Sequence, residues 1–229
     1  MPQPLKAEEV NSKTDPSVAK QWDHDTPKAK QIEEFYKTVD GMKVGLLTTI
    51  RDGIGPVSRS MAVAKVSIPP QVLDPMAEAN TNPPRSPQRT GPDFLFLSNT
   101  HSSKFSDLAS NPTAQITFQN SSSQDWVSVS GTCTTTSNSD PRIKELYSKA
   151  ISAWFGDLGD GVHTGGPDDP RMALIEVKAK YVSYWKSTVG ALGFFKEVGM
   201  ATLTGKVADN GVQRQFLEQD IEEMRKEAA

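Results

Sequence analysis

The chain has 229 residues, a net charge of −3 at pH 7 and a single cysteine. This length supports one sizeable core with residues left over for tails, and one cysteine excludes a disulfide framework within the chain. The slightly negative charge argues against nucleic-acid partners, and the lack of an apolar run near the roughly 20 residues that cross a bilayer argues against a membrane span. We therefore expect a cytoplasmic protein, although composition does not separate the cytosol from the nucleus.

The first part of the chain predicts a tail, a helix and a β-hairpin. Residues 1–25 are polar and rich in Pro, Lys and Asp, which is typical of a mobile tail. A Thr-Pro pair followed by apolar residues at helical spacing predicts a helix over 27–40. Two apolar runs, 44–50 and 57–67, flank the turn signal Asp52-Gly53 and predict the hairpin.

The second strand of this hairpin carries an arginine, Arg59, on the same face as Met61. An arginine in the middle of a strand needs a reason. It either lies on a solvated face, which is the commoner case, or binds a planar anion bidentately.

A strand, a polar turn and a helix start are predicted between residues 93 and 111. The apolar run Phe94–Leu97 ends in Ser98-Asn99-Thr100, and helical spacing begins directly after Lys104. The free N–H groups and the dipole of a helix start favour an anion site, and the lysine in the first turn adds to this. The alternative is an ordinary helix cap beside a solvated lysine.

The remaining patterns predict further strands and two helices. Alternating apolar and polar residues predict strands over 113–120, 126–136 and 172–186, and a cap followed by proline predicts a helix from 141 to about 156. Residues 213–227 are charged and predict a surface or partner-binding helix. About six mostly antiparallel strands with flanking helices predict a mainly β, α+β fold, closed as a small barrel because closure removes exposed strand edges.

The chain therefore divides into three predicted parts. Residues 1–25 form the tail, residues 26–187 form one folded domain, and residues 188–229 form a C-terminal extension with a charged helix. Within the domain, residues 69–92 are rich in proline, which predicts an inserted loop and excludes a central strand or a long helix.

The sequence carries no recognisable catalytic or metal-binding motif. Its three histidines lie apart, without a second ligand at metal-binding spacing, so no metal site is expected. What remains is a pair of cations, Arg59 and Lys104, with hydroxyl-rich turns and three tryptophans. This combination suits a phosphorylated aromatic cofactor. The alternative role for Trp126, Trp154 and Trp185 is core packing.

Six segments, in order along the chain, resemble the pyridoxamine-phosphate-oxidase-like flavin-binding split-barrel family. They are most similar to its general-stress-protein branch, which includes fungal blue-light-inducible stress proteins. The resemblance covers roughly residues 27–187. The matching segments are LLTT (46–49), DGIGPVSRSMA (52–62), FLFLSNTHSSKFSDLASNPTAQITF (94–118), WVSVSGTCT (126–134), ELYSKAISAWF (145–155) and DDPRMALIEVKAKYVSYWKS (168–187).

The resemblance implies a split β-barrel that binds FMN, and a homodimer with FMN at the subunit interface. Arg59 and Lys104 would bind the FMN phosphate. Ser103 and the turn Ser98, Asn99 and Thr100 would assist them, the backbone of Ser60, Met61 and Ala62 would follow the isoalloxazine ring, Ser128 and Trp126 would approach from a neighbouring strand, and Trp154 and Trp185 would border the ring, at least one of them from the second subunit.

The expected function is that of a flavin-dependent oxidoreductase in a stress response, with an unknown substrate and an unknown small-molecule redox partner. Because no acid or base residue stands out, a non-catalytic flavin-binding sensor or reservoir is the alternative, and whether the chain is an enzyme is left open. Oxidation of pyridoxamine phosphate is disfavoured, since the C-terminus, LEQDIEEMRKEAA, differs from the substrate-binding ending of the true oxidases. Haem and deazaflavin binding also occur on this barrel.

Overall fold

The computed structural model describes residues 25–66 and 92–227, together with residues 15, 17 and 21–23. Almost all of the predicted proline-rich insertion and most of the predicted tail therefore lie outside the described residues. No helix in the described part of the chain combines the length and the apolar character that a membrane crossing requires.

Strands dominate the described residues, and helices flank them. The strands are β1 (Val44–Arg51), β2 (Gly55–Ala62), β3 (Lys65–Val66), β4 (Phe94–Asn99), β5 (Thr113–Gln119), β6 (Trp126–Thr135), β7 (Met172–Ser187) and β8 (Gly211–Phe216). The main helices are α1 (Lys28–Met42), α2 (Ser103–Ser110), α3 (Arg142–Leu146), α4 (Lys149–Ser152), α5 (Ala191–Thr204) and α6 (Glu218–Glu227).

The strands form one eight-stranded sheet in the order β2-β1-β5-β6-β7-β4-β3, with β8 paired to β7. Strand β1 runs antiparallel to β2 and β5, and β4 runs antiparallel to β3 and β7. The predicted α+β class and antiparallel pairing are confirmed. The described strands do not close into a barrel, however, because β2 and β3 end the order without pairing to each other. The sequence also missed β8 and the two-residue strand β3, which is too short to show periodicity.

The chain divides into two compact units. The first contains Met1–Met42, Phe118–Ser128 and Ser183–Gln215. Here the ring of Tyr184 packs against Phe35, with ring centroids 6.0 Å apart, and its buried hydroxyl donates a hydrogen bond of 2.8 Å to a backbone carbonyl of α1.

The second unit contains Lys43–Thr117, Val129–Val182 and Phe216–Ala229. One helix was predicted over 141–156, but the structure has two, α3 and α4, separated by extended backbone at Tyr147. This break lets both short helices pack on one buried cluster, which includes Ile143, Phe155 and Leu174. A helix was therefore predicted correctly, but its continuity was wrong.

The C-terminal prediction is half correct. Residues 213–216 belong to β8, so the helix begins only at Glu218. Helix α6 buries Ile221 and Met224, and Arg225 donates a hydrogen bond of 2.6 Å from Nη2 to Oδ1 of Asp93. The helix is thus docked within the second unit on one face.

We predict that Gly131→Ala destabilises the protein strongly. A Cβ at this position of β6 would lie 2.0 Å from the backbone oxygen of Lys178 on β7, and a backbone atom cannot move aside without separating the strands. Overpacking of this kind costs about 2–3 kcal/mol. The control is Gly41→Ala, where a Cβ meets nothing within 4 Å and the free energy of unfolding should be unchanged or slightly higher. Urea unfolding measures both, and equal values would contradict the prediction.

Candidate anion-binding site

The predicted strand, turn and helix start are confirmed as β4, residues 100–102 and α2. The side chain of Asn99 shapes the turn, because its Oδ1 accepts the N–H of His101 at 2.9 Å. Ser102 stands at the helix cap but makes no side-chain cap hydrogen bond. Its hydroxyl instead accepts a bond of 2.9 Å from Lys104 Nζ. The first N–H groups of α2 are therefore left without a side-chain cap, which favours an anion there.

Lys104 is buried, with 8% of its surface exposed. Within the described part of the chain, its ammonium group is hydrogen-bonded to a hydroxyl and has no carboxylate at ion-pair distance. Burial, and then the positive charge of nearby Arg59, lower the pKa of Lys104. The predicted pair of cations thus lies in one place, and the alternative of a solvated lysine is wrong. A buried cation beside another cation is costly unless an anion compensates it.

The guanidinium group of Arg59 is held from two sides. Its Nη1 donates to Thr49 Oγ1 at 2.8 Å. Its Nη2 donates to Asp107 Oδ2 at 2.7 Å and to Ser103 Oγ at 3.1 Å. Arg59 therefore points from β2 towards the start of α2 and is not simply solvated.

A second arginine, Arg51, reaches the same point from the end of β1. Its Nε donates to Asp107 Oδ1 at 2.9 Å, and its Nη2 donates to Ser103 Oγ at 2.7 Å. The hydrogen bonds from Arg51, and those from Arg59 and Thr49, hold the pKa of the Asp107 carboxyl well below its usual range. Asp107 is therefore ionised at neutral pH.

The charges of this cluster do not balance. Arg51, Arg59 and Lys104 carry three positive charges, and Asp107 supplies one negative charge, so a net charge of about +2 remains. Ser103 Oγ already accepts hydrogen bonds from both arginines. Its hydroxyl proton is then directed elsewhere, as a donor. A phosphate monoester, with a charge of about −1.5 to −2 and several acceptor oxygens, matches this set.

Sequence reasoning missed three members of this anion cluster: Thr49, Arg51 and Asp107. A signal for each was present. Thr49 and Arg51 alternate on β1 and precede the predicted turn, so they share a face. Asp107 lies four residues after Ser103, which places both on one face of a helix.

The residues predicted to follow the cofactor ring lie at an edge of the sheet. Ser60, Met61 and Ala62 pair with residues of β1, and β2 is the end strand of the described order. Its other edge can therefore offer backbone N–H and C=O groups to a ligand. Ser98 is buried near the end of β4, and Thr100 is half-buried in the turn.

The aromatic residues predicted to border the ring occupy different settings. Trp126 and Ser128 are half-buried at the start of β6. Trp154 is 82% exposed. Trp185 packs on Gly211, where a Cβ would lie 2.5 Å from the indole ring, so it has a packing role in the first unit. Their contacts with a cofactor remain predictions.

Comparisons with known proteins place this geometry in a family. Residues 73–209 match the family described as pyridoxamine 5'-phosphate oxidase like. Protein bli-3 of Neurospora crassa is 33% identical over 220 residues, which is 96% of this chain and 95% of the relative.

Solved structures show the same fold. A protein from Jannaschia sp. CCS1, assigned as a candidate general stress protein 26, superposes with a TM-score of 0.54 at 19% identity, over 83% of this chain and 99% of that chain. A pyridoxamine 5'-phosphate oxidase-related, FMN-binding protein from Nostoc punctiforme is 14% identical, with a TM-score of 0.47 over 70% of this chain and 85% of that chain. The family match and the Neurospora relative together show that the chain belongs to the pyridoxamine 5'-phosphate oxidase-like family.

Proposed function

We propose that the protein binds FMN and that the anion cluster holds the FMN phosphate. The observation that carries this proposal is Lys104, a buried cation beside Arg59 with no carboxylate partner among the described residues. A dianionic phosphate would remove the excess charge, and Ser103 with the uncapped start of α2 would supply donors. Membership of the family supports flavin as the cofactor.

The chain's own residues would then divide the work of binding. Arg51, Arg59 and Lys104 fix the phosphate, and the free edge of β2 at residues 60–62 orients the ring. Trp126, Ser128, Trp154 and Trp185 are the proposed neighbours of the ring. When bound, FMN supplies two-electron redox chemistry, and the protein contributes orientation and hydrogen bonds.

The proposed activity is that of a flavin-dependent oxidoreductase in a stress response, with a small-molecule redox partner. One observation favours the second candidate, a flavin sensor or reservoir: Asp107 is held ionised by two arginines and therefore does not serve as a proton donor at neutral pH. Steady oxidation of a reduced nicotinamide by the FMN-loaded protein would support the oxidoreductase and exclude the sensor.

We also propose a homodimer, as the family resemblance implies. Helix α5 supports it, because the large apolar side chains of Phe195 and Leu203 are exposed there. Exposed apolar groups of this size are typical of interfaces when they cluster. Adjacent Lys196 and Glu197 allow two antiparallel copies of α5 to pair opposite charges. Sedimentation velocity should give twice the chain mass, and Phe195→Glu should shift it to the monomer; a monomeric wild type contradicts the proposal.

The direct test of the cofactor is to purify the protein and identify its small-molecule content by mass spectrometry. We expect a yellow protein with flavin absorbance and a released mass that matches FMN. The absorption spectrum also separates FMN from haem and deazaflavin. Colourless protein that does not take up added FMN would overturn the proposal.

A further inference from the structure

Asp107 is the buried centre of the anion cluster. Its side chain is 4% exposed. Oδ2 accepts hydrogen bonds from Thr49 Oγ1 at 2.8 Å, Arg59 Nη2 at 2.7 Å and Arg51 Nη2 at 3.2 Å. Oδ1 accepts one from Arg51 Nε at 2.9 Å. A carboxylate on a helix thus anchors side chains from both strands of the β1–β2 hairpin.

These bonds fix the orientation of both guanidinium groups. Arg51 is held by Nε and Nη2, so its plane cannot rotate freely. Arg59 is held at Nη2 by Asp107 and at Nη1 by Thr49. Both arginines then meet at Ser103 Oγ, at 2.7 and 3.1 Å. The donors that remain face the ligand in a set geometry, without the entropy loss that free side chains would suffer on binding.

Electrostatics alone predicts the opposite influence of Asp107 on an anionic ligand. A carboxylate beside a phosphate repels it and reduces the net charge of the cluster from about +3 to about +2. If charge dominated, neutralising Asp107 would strengthen phosphate binding. If positioning dominates, the same change would weaken it, because a carboxamide places a donor against the donors of Thr49, Arg51 or Arg59. The direction of the change therefore separates the two roles.

We propose that Asp107 is a positioning residue, which orients Arg51 and Arg59 for the phosphate of the ligand. This inference rests on the proposed binding of FMN. Positioning outweighs repulsion because the Asp107 carboxylate is saturated by four donors of the protein and turned away from the site that Ser103 and Lys104 face.

The test compares FMN with riboflavin, which lacks the phosphate. Fluorescence titration gives the dissociation constant of each flavin for the wild type and for Asp107→Asn. We expect Asp107→Asn to weaken FMN binding about 10-fold or more, as the loss of hydrogen bonds to charged groups does, and to leave riboflavin binding unchanged. The matched control is Asp140→Asn, which breaks the Asp140–Arg142 pair, an ion pair of 2.9 Å outside the cluster; it should change neither constant.

Since Asp107→Asn leaves two arginines without their anchor, a second variant guards against misfolding. Thr49→Val removes the bond to Asp107 and the bond from Arg59 without changing charge or volume appreciably. We expect it to weaken FMN binding about 5-fold, again with riboflavin unchanged, as one or two neutral hydrogen bonds require.

The outcomes are distinct. Selective loss of FMN affinity in both variants supports the positioning role. Unchanged or tighter FMN binding by both overturns it, and so does an equal loss for FMN and riboflavin, which would indicate a general structural role. If the wild type itself does not prefer FMN over riboflavin, the proposed function fails first, and the positioning role fails with it.

Discussion

The Lys104→Met variant is expected to bind FMN about 100-fold more weakly than the wild type and to bind riboflavin equally well. Lys104 is the cation of the cluster that no described carboxylate neutralises, so the phosphate is its proposed counter-ion. A factor of 100 corresponds to about 2.7 kcal/mol, within the range of charge-assisted hydrogen bonds to a buried anion. Combining Lys104→Met with Arg59→Met should abolish retention of FMN during purification.

The same variant should not weaken the flavin-free protein. In that state Lys104 is a buried cation next to Arg59, with its pKa lowered by burial and by that neighbour. Methionine fills a similar volume without a charge, so the free energy of unfolding is expected to stay the same or rise. Urea unfolding measures this, and titration with each flavin measures affinity.

Lys144→Met is the control for the lysine variant. Lys144 is exposed and pairs with exposed Asp168 at 2.7 Å, so its removal should change neither flavin affinity nor stability by a measurable amount. Stoichiometric retention of FMN by Lys104→Met, or an equal loss of riboflavin, would show that the phosphate lies elsewhere.

Asp169→Asn is expected to lower the free energy of unfolding by about 4 kcal/mol, because removing one partner of a buried pair leaves the other charge uncompensated. Asp169 is fully buried and accepts bonds from Arg171 Nη2 and from the N–H of Gly165, each at 2.7 Å. Arg171 in turn donates to the carbonyl oxygens of Phe155 and Gly156, at 3.0 and 2.7 Å. The pair therefore ties both ends of the glycine-rich loop together.

The neighbouring residue supplies a matched control. Asp168 carries the same charge one position away, but its side chain is 77% exposed. Asp168→Asn should therefore change the free energy of unfolding by less than about 0.5 kcal/mol. Similar effects of the two substitutions would contradict a structural role for the Asp169–Arg171 pair.

The contribution of Asp169 should also depend on pH in a defined direction. Hydrogen bonds from Arg171 lower the pKa of Asp169 to about 2 in the folded protein, whereas an unfolded aspartate titrates near pH 3.9, an approximate value. The stabilisation is then complete above about pH 4 and is lost as the pH falls towards 2. Urea unfolding of the wild type and Asp169→Asn between pH 6 and about 2.5 should show the two curves converging in acid.

The local elements of the site were predictable from sequence, but its contacts were not. The apolar run of Phe94–Leu97 and the helical spacing after Lys104 predicted β4 and α2, since both patterns depend on residues close in the chain. The partnership of Arg51 with Asp107 joins residues 56 positions apart. It depends on how the β1–β2 hairpin lies against α2, which periodicity does not specify.

Two other differences have similar causes. The helical pattern over 141–156 contains a break at Tyr147 because both halves pack on one apolar cluster, and that packing is a tertiary requirement. Strand β8 was missed because Gly211–Phe216 alternates weakly and contains a buried arginine, Arg214, which bonds to Asp23 at 2.7 Å. Sequence reasoning assigned its charge to a solvated helix.

The most direct measurement is the ratio of the dissociation constants of the wild-type protein for riboflavin and FMN, determined by fluorescence titration at low ionic strength. If Arg51, Arg59 and Lys104 hold the phosphate, FMN should bind at least about 100-fold more tightly, and added salt should reduce the preference. Equal dissociation constants at low salt would show that the cluster does not bind the phosphate.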